Sequence, residues 1–304
     1  MRNSIALAVL LCAACTTTAC TTTASEPAAK PQRDWSAIAA DGAIPEGVQP
    51  FELALELSEL LGSRDPVLRD DCAYSLLANW IVRQKLFEPD QLRELTRRWT
   101  GNLEQGLGSA GDDSVLLRSF SALALALIAA RDLDTPFMSA EEVEALLQRA
   151  LDYSARERDL RDWDAQLGWI HAVAHTADVL KFLARNPKVD TDGLNRILAA
   201  VEQRLATPME RGFSMGEDER LARTVAAVLL RAEHDEQGYA AFLERLREAR
   251  VSAANAAPFT AANVVVGQNI LHMLRTLHSG LASIDGLPPH TQRARDATAR
   301  ALAR

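Results

Sequence analysis

The sequence predicts an all-α protein built as an α-α superhelix, a HEAT- or armadillo-like solenoid of antiparallel helix pairs, with a closed α/α toroid as the alternative. Three observations carry that expectation. Ala, Leu, Arg and Glu are abundant, aromatics make up only 5% and the 304 residues hold just 12 Pro and 15 Gly, so the chain favours residues that lose little on entering a helix. From Phe51 onward apolar residues recur with the helical period, and no stretch alternates apolar and polar as a half-buried strand would. About ten or eleven helical segments of roughly 12–24 residues, joined by short loops, must pair with neighbours to bury their stripes. No clean repeat period accompanies them, so the solenoid expectation rests on helix number and loop length.

The N-terminus reads as a targeting segment. Arg2 precedes an apolar run from Ile5 to Ala14 and a Thr-rich stretch, too short a run to cross a bilayer as a stable helix. Residues 1–24 are therefore expected to be a lipoprotein-type signal peptide lipidated at Cys15, which follows the small pair Ala13-Ala14. Cys20 and plain cleavage after Ala24 are the alternatives. The expected place of the protein is the cell envelope, a periplasmic protein reaching the membrane only through an N-terminal lipid anchor. Residues 25–48 read as a flexible tether, rich in Ala, Pro and Ser, and 49–304 as a single all-α domain. Cys72 is then the one cysteine of the folded body, and its apolar helical neighbours predict a small buried hydrophobe rather than a nucleophile.

In order along the chain, Leu53, Leu57, Leu60 and Leu61 make an apolar face that Gly62 ends. Asp65-Pro66 supplies an N-cap with proline at the first helical position, opening a helix that carries Leu68, Cys72, Leu76 and Trp80 to about Phe87. Helices follow over 89–103 and 112–131. Ser139 to Glu142 is a capping box starting a helix that ends near Ser154. The next is expected over Asp162 to Ala184, stopping before Asn186-Pro187 because the residue before proline avoids the helical region. The remainder fall at about 191–205, 216–233, 237–250, 260–282 and 289–303.

A formal net charge of −8, with Arg interleaved among Glu and Asp, argues against nucleic acid as a partner, since a phosphate backbone requires clustered Lys and Arg. Nothing resembles a nucleotide loop, a serine nucleophile elbow or a Cys-x-x-Cys pair. The segment from Gly168 to Asp178 is the most informative. On a continuous helix His171, His175 and Asp178 fall within ~60° of one another, a set that could ligate a divalent metal such as zinc. The same groups also suit a hydrogen-bonded interior network, and the glutamate that makes the zinc-protease helix specific is missing. Arg118, amid Phe120, Leu123 and Leu125, needs a carboxylate or water, with Asp178, Glu217 and Asp70 as candidate partners. Ser214 and Glu217 have capping-box spacing, and Asp218 and Glu219 suit a helix N-terminus without any function. Arg69-Asp70-Asp71 and Glu157-Arg158-Asp159-Leu160-Arg161 each read as surface charge.

Taken together, Arg69-Asp70 with Tyr74 and Trp80-Ile81, Asp112-Asp113-Ser114-Val115 with Arg118-Ser119-Phe120-Ser121, Asp159-Leu160-Arg161, Gly168-Trp169, His171, Ala174-His175, Ala177-Asp178 and Gly216-Glu217-Asp218-Glu219-Arg220-Leu221 resemble the bacterial domain of unknown function family 2785. The resemblance spans roughly residues 50–280. Ile170 and Thr176 depart from it, where small residues are typical, as does the region near Trp163. It implies no activity. It does imply a shared polar set, Asp70, Asp113, Arg118, His171, His175, Asp178, Glu217, Asp218 and Arg220, drawn from four separate helices as the wall of a single concave groove would be.

Two functions follow as expectations. The leading one is a binding or scaffold module, without a cofactor, presenting that groove to a protein, peptide or envelope ligand. The alternative is a metal-dependent hydrolase with His171, His175 and Asp178 as ligands and Glu217 or Asp218 as base. Whether the chain is an enzyme stays open at the level of sequence.

Overall fold

The caps at the helix starts explain where the chain enters each helix in the computed structural model, which describes residues 33–303. The expected signal peptide, its cysteines and the first part of the tether lie outside the described residues. Helix α1, Trp35–Asp41, is capped by Asp34, whose carboxylate accepts the Ala37 amide at 3.0 Å. Helix α2 is Pro50–Leu60. Asp65 then caps the next helical run by accepting the Val67 amide at 2.9 Å. That run is wound more widely than expected: it is π-helical over Val67–Tyr74, α-helical in α3, Ser75–Ala78, and π-helical again over Asn79–Arg83. Such winding is rare and collects at functional sites.

Helices α4 (Pro89–Asn102), α5 (Ser114–Asp134) and α6 (Ala140–Arg156) follow. The expected capping box is present, the Ser139 hydroxyl accepting the Glu142 amide and the Glu142 carboxylate accepting the Ser139 amide. After α6 the structure departs from the sequence reading. Instead of one helix from Asp162 there is a two-stranded antiparallel ribbon, β1 (Trp163–Asp164) with β2 (Gly168–Trp169), and α7 begins only at Ala172, running to Arg185. Local turn chemistry outweighs the helical period here. The Asp164 carboxylate accepts the amides of Gln166 and Leu167 at 2.8 and 3.0 Å, and Gly168 and His171 take positive φ of 68° and 48°, conformations that end a right-handed helix. The remaining helices are α8 (Thr191–Ala206), α9 (Glu217–Leu229), α10 (Glu236–Ala254), α11 (Ala261–Ala282) and α12 (Pro289–Leu302). Gly216, not Ser214, caps α9.

Among the described residues the protein is all-α apart from that ribbon. Helices α5, α7, α9 and α11 pack each against the next, α6, α8, α10 and α12 do likewise, and α4 with α5, α6 with α7 and α10 with α11 join the two rows. Helix α5 sits at the centre, with Leu116, Ala124, Leu125, Ile128 and Ala129 all fully buried. It alone among the described helices is long and apolar enough to cross a membrane, and most of it is buried inside the fold.

The second part of the expected tether is structured. Trp35 is buried, and the Trp80 indole donates to the Gly42 carbonyl at 3.3 Å, so α1 and its C-cap are tied to the core. Cys72 is a free, buried thiol, and burial pushes it above the usual thiol range. Because Leu125 is enclosed on the central helix, Leu125→Ala is expected to cost about 2–5 kcal/mol, measured by urea unfolding; a loss below about 1 kcal/mol would contradict its place in the core.

Candidate functional site

The site begins with a buried guanidinium. Arg69, on the first π-helical stretch, is fully buried. Its Nε donates to Asp70 at 2.8 Å, Nη1 to the Ser63 carbonyl at 2.9 Å, and Nη2 to the carbonyls of Leu167 and Trp169 at 2.6 and 3.1 Å. Its Cζ lies over the Phe120 ring, 4.6 Å from the ring centre. Two of those acceptors belong to the ribbon, so the arginine fixes the ribbon against the core. Gly168 accommodates the close approach, since a Cβ there would meet Pro66 at 3.0 Å.

The ribbon in turn sets His171. The Ile170 and His171 amides both donate to the Asp162 carbonyl, at 2.9 and 3.2 Å, which holds His171 left-handed just before α7. That conformation costs a residue bearing a Cβ about 1–2 kcal/mol. The Trp169 indole stacks on the imidazole, 4.4 Å between centroids at 22°. His171 Nε2 lies 3.2 Å from Oε1 of Glu217 at the start of α9, yet the two are poorly aligned, and both atoms are buried without a well-directed partner. Burial pushes the Glu217 carboxyl up, but the His171 contact, its own amide and the Met215 amide outweigh it and hold it below the usual glutamate range.

Behind His171, edge-on at 5.7 Å, lies His175. The Ser119 hydroxyl donates to the Ile170 carbonyl and so accepts from His175 Nδ1 at 2.8 Å, which leaves Nε2 as the unprotonated nitrogen. Burial, with the charges of His171 and Arg220, holds His175 well below the usual histidine value. A serine and a histidine at this distance look like a nucleophile and its base. Ser119 is fully buried, however, and its proton is already given to a backbone carbonyl.

One helical turn further on, Asp178 receives Lys181 at 2.7 Å and Arg220 from α9. Tyr74 lies close enough to feel both charges; burial and Asp178 push its hydroxyl up to about 12. Asp70 is raised by burial despite its bond to Arg69.

Of the nine sequence candidates, His171, His175, Asp178, Glu217 and Arg220 come together between α7 and α9, and Asp70 reaches them through Arg69. Arg118 does not join them. Its partner is Glu157, at 2.6 and 3.2 Å, with the Ser114 hydroxyl and the Gln105 carbonyl completing its bonds. None of Asp178, Glu217 and Asp70 pairs with it. Asp113 pairs with Arg64, and Asp218 is half-buried in the first turn of α9. The polar set thus divides into two networks.

The metal set does not assemble. Among the described residues no three His, Cys, Asp or Glu side chains converge as metal ligands. His171 precedes α7, so the shared helix face is lost, and Asp178 is occupied by two cations. Sequence reasoning also missed Arg69, Glu157 and Asp159, all buried. Arg69 had one usable signal: it lies three and seven residues before Cys72 and Leu76, on the apolar face.

Residues 103–278 match the family described as proteins of unknown function (DUF2785). The chain belongs to this family. The matched span holds eight of the nine polar candidates, all but Asp70, and Arg69 also falls outside it. Neither a curated protein nor a solved structure matches the chain.

A neutral buried His175 makes stability depend on pH. The unfolded chain takes up a proton below about 6.5 that the folded state refuses. Stability is therefore full above that value and falls as pH drops, by up to about 1.4 kcal/mol per unit. Urea unfolding at pH 7.5 and 5.5 is expected to show a smaller difference in His175→Asn than in the native chain; equal differences would contradict the assignment.

Proposed function

We propose that this DUF2785 protein is a binding module whose helices wind as an α-α superhelix and whose partner is a peptide or protein segment seated on the ribbon. The winding is supported by the two rows in which each helix packs on the next. Among the described residues, moreover, neither α11 nor α12 packs extensively on α2 or α4, as closure into a toroid would require.

The observation that carries the binding role is the pairing of exposed aromatics with under-satisfied polar atoms. Trp163 and Trp169 face each other across the ribbon, 45% and 40% exposed. Trp169 rests on His171, whose Nε2 and facing Glu217 Oε1 lack aligned partners. Met215, two residues before Glu217, is exposed as well. Large aromatic side chains around a few unsatisfied polar groups are what a partner's segment buries on docking. Strain at His171 keeps these groups presented rather than free to relax. Catalysis is less well supported, because Ser119 is sealed and the three-residue metal set is not formed.

The N-terminal sequence, with its apolar run and Cys15, supports an envelope location in which the partner is another exported protein or a lipid-anchored one. The test is selection of a random peptide library on immobilised protein, counter-screened on Trp169→Ala and Glu217→Gln. A consensus peptide should emerge and bind both variants at least tenfold more weakly. No enrichment, or peptides indifferent to both changes, would overturn the reading.

A further inference from the structure

Beside the ribbon cluster, one turn along α7 and α9, lies a cleft of about 300 Å³, near the lower size of small-molecule sites. Its floor is aliphatic. Leu123, Ala126, Leu127 and Ala130 line it from α5, at the i, i+3, i+4, i+7 spacing that makes one stripe of a helix. Its rim is cationic: Arg83, Lys181 and Arg220 face a single carboxylate, Asp178. Asp178 is shared by Lys181 and Arg220, whereas Arg83 is exposed and no described carboxylate pairs with it. On a chain of formal charge −8, this is a local reversal of sign. Tyr74 also lines the cleft and stays protonated at neutral pH, a ready donor.

We propose that the cleft between α3, α5 and α7 binds an aliphatic carboxylate, its hydrocarbon on the α5 stripe and its charge at Arg83, Lys181 and Arg220. An apolar floor alone would take any hydrocarbon; the cationic surplus selects an anion, and the small volume favours a small body. Such a group is found on a free medium-chain fatty acid or at the C-terminus of an apolar peptide. The inference rests on the binding reading above and names the chemistry that reading leaves open.

The test is a methyl NMR titration of the full chain, following Leu123 and Leu127, with octanoate, octanol, octylammonium, acetyl-leucine and acetyl-leucine amide. Octanoate or acetyl-leucine should shift these methyls saturably and at least tenfold more tightly than the uncharged or cationic analogue of the same body. The tighter of the two tells a fatty acid from a peptide terminus. Arg83→Gln, at an exposed position, should weaken binding about threefold. Ala130→Leu, which fills the floor, should abolish saturation while the thermal midpoint stays within a few degrees. Octanol binding as tightly as octanoate, saturation unaffected by Ala130→Leu, or no saturation with either carboxylate would overturn the proposal. If that happens while the peptide selection succeeds, the ligand class is wrong and the binding role stands.

Discussion

A guanidinium sealed from water must find an acceptor for its donors, and the arrangement around Arg69 follows from that demand. An unpaired buried charge costs several kcal/mol, so the Ser63, Leu167 and Trp169 carbonyls and the Asp70 carboxylate that surround it are held as firmly as the charge is buried. Two of the four belong to the ribbon. The arginine therefore decides where residues 163–169 sit, the ribbon decides the backbone of His171, and His171 decides what faces Glu217. The dependence runs through a side chain some hundred residues away in sequence, which is why no local pattern announces it.

The two polar networks have different physical characters. Arg118 and Glu157 form a sealed ion pair whose remaining donors go to Ser114 and a carbonyl; the Glu157 carboxylate also accepts the Arg158 and Asp159 amides. Asp159 accepts the Gly111 amide, and Arg161 reaches the Asp112 carbonyl. This network latches two loops together and has little left to offer a ligand. The cluster around His171 is the opposite: strained backbone, exposed indoles and polar atoms without aligned partners, beside a cleft with surplus positive charge. A groove made of all nine residues would have mixed these roles.

Most of the fold was legible because the helical period and the cap residues act locally. Ser139 with Glu142, Asp65 before Pro66 and the stop before Asn186-Pro187 each settle an element boundary within a few residues. The region from Asp162 to His171 was illegible for the converse reason. Its apolar spacing suits a helix, but the Asp164 turn, Gly168 and the distant Arg69 together favour a ribbon. The same failure removed the shared face that would have made His171, His175 and Asp178 a metal set. Runs such as Glu157 to Arg161 read as solvated charge because composition cannot distinguish a surface carboxylate from one that closes a loop inside. Family membership brings no chemistry with it, so the functional reading stands on geometry.

The most direct test of the dependence on Arg69 is amide hydrogen exchange in Arg69→Lys, since lysine keeps the charge but not the planar fork that reaches the ribbon carbonyls. The Ile170 and His171 amides, both bonded to Asp162, should lose protection together with the rest of 162–171, while α5, α9 and α11 keep theirs. Unchanged protection in the ribbon, or an even loss over every helix, would show that the arginine does not organise the site.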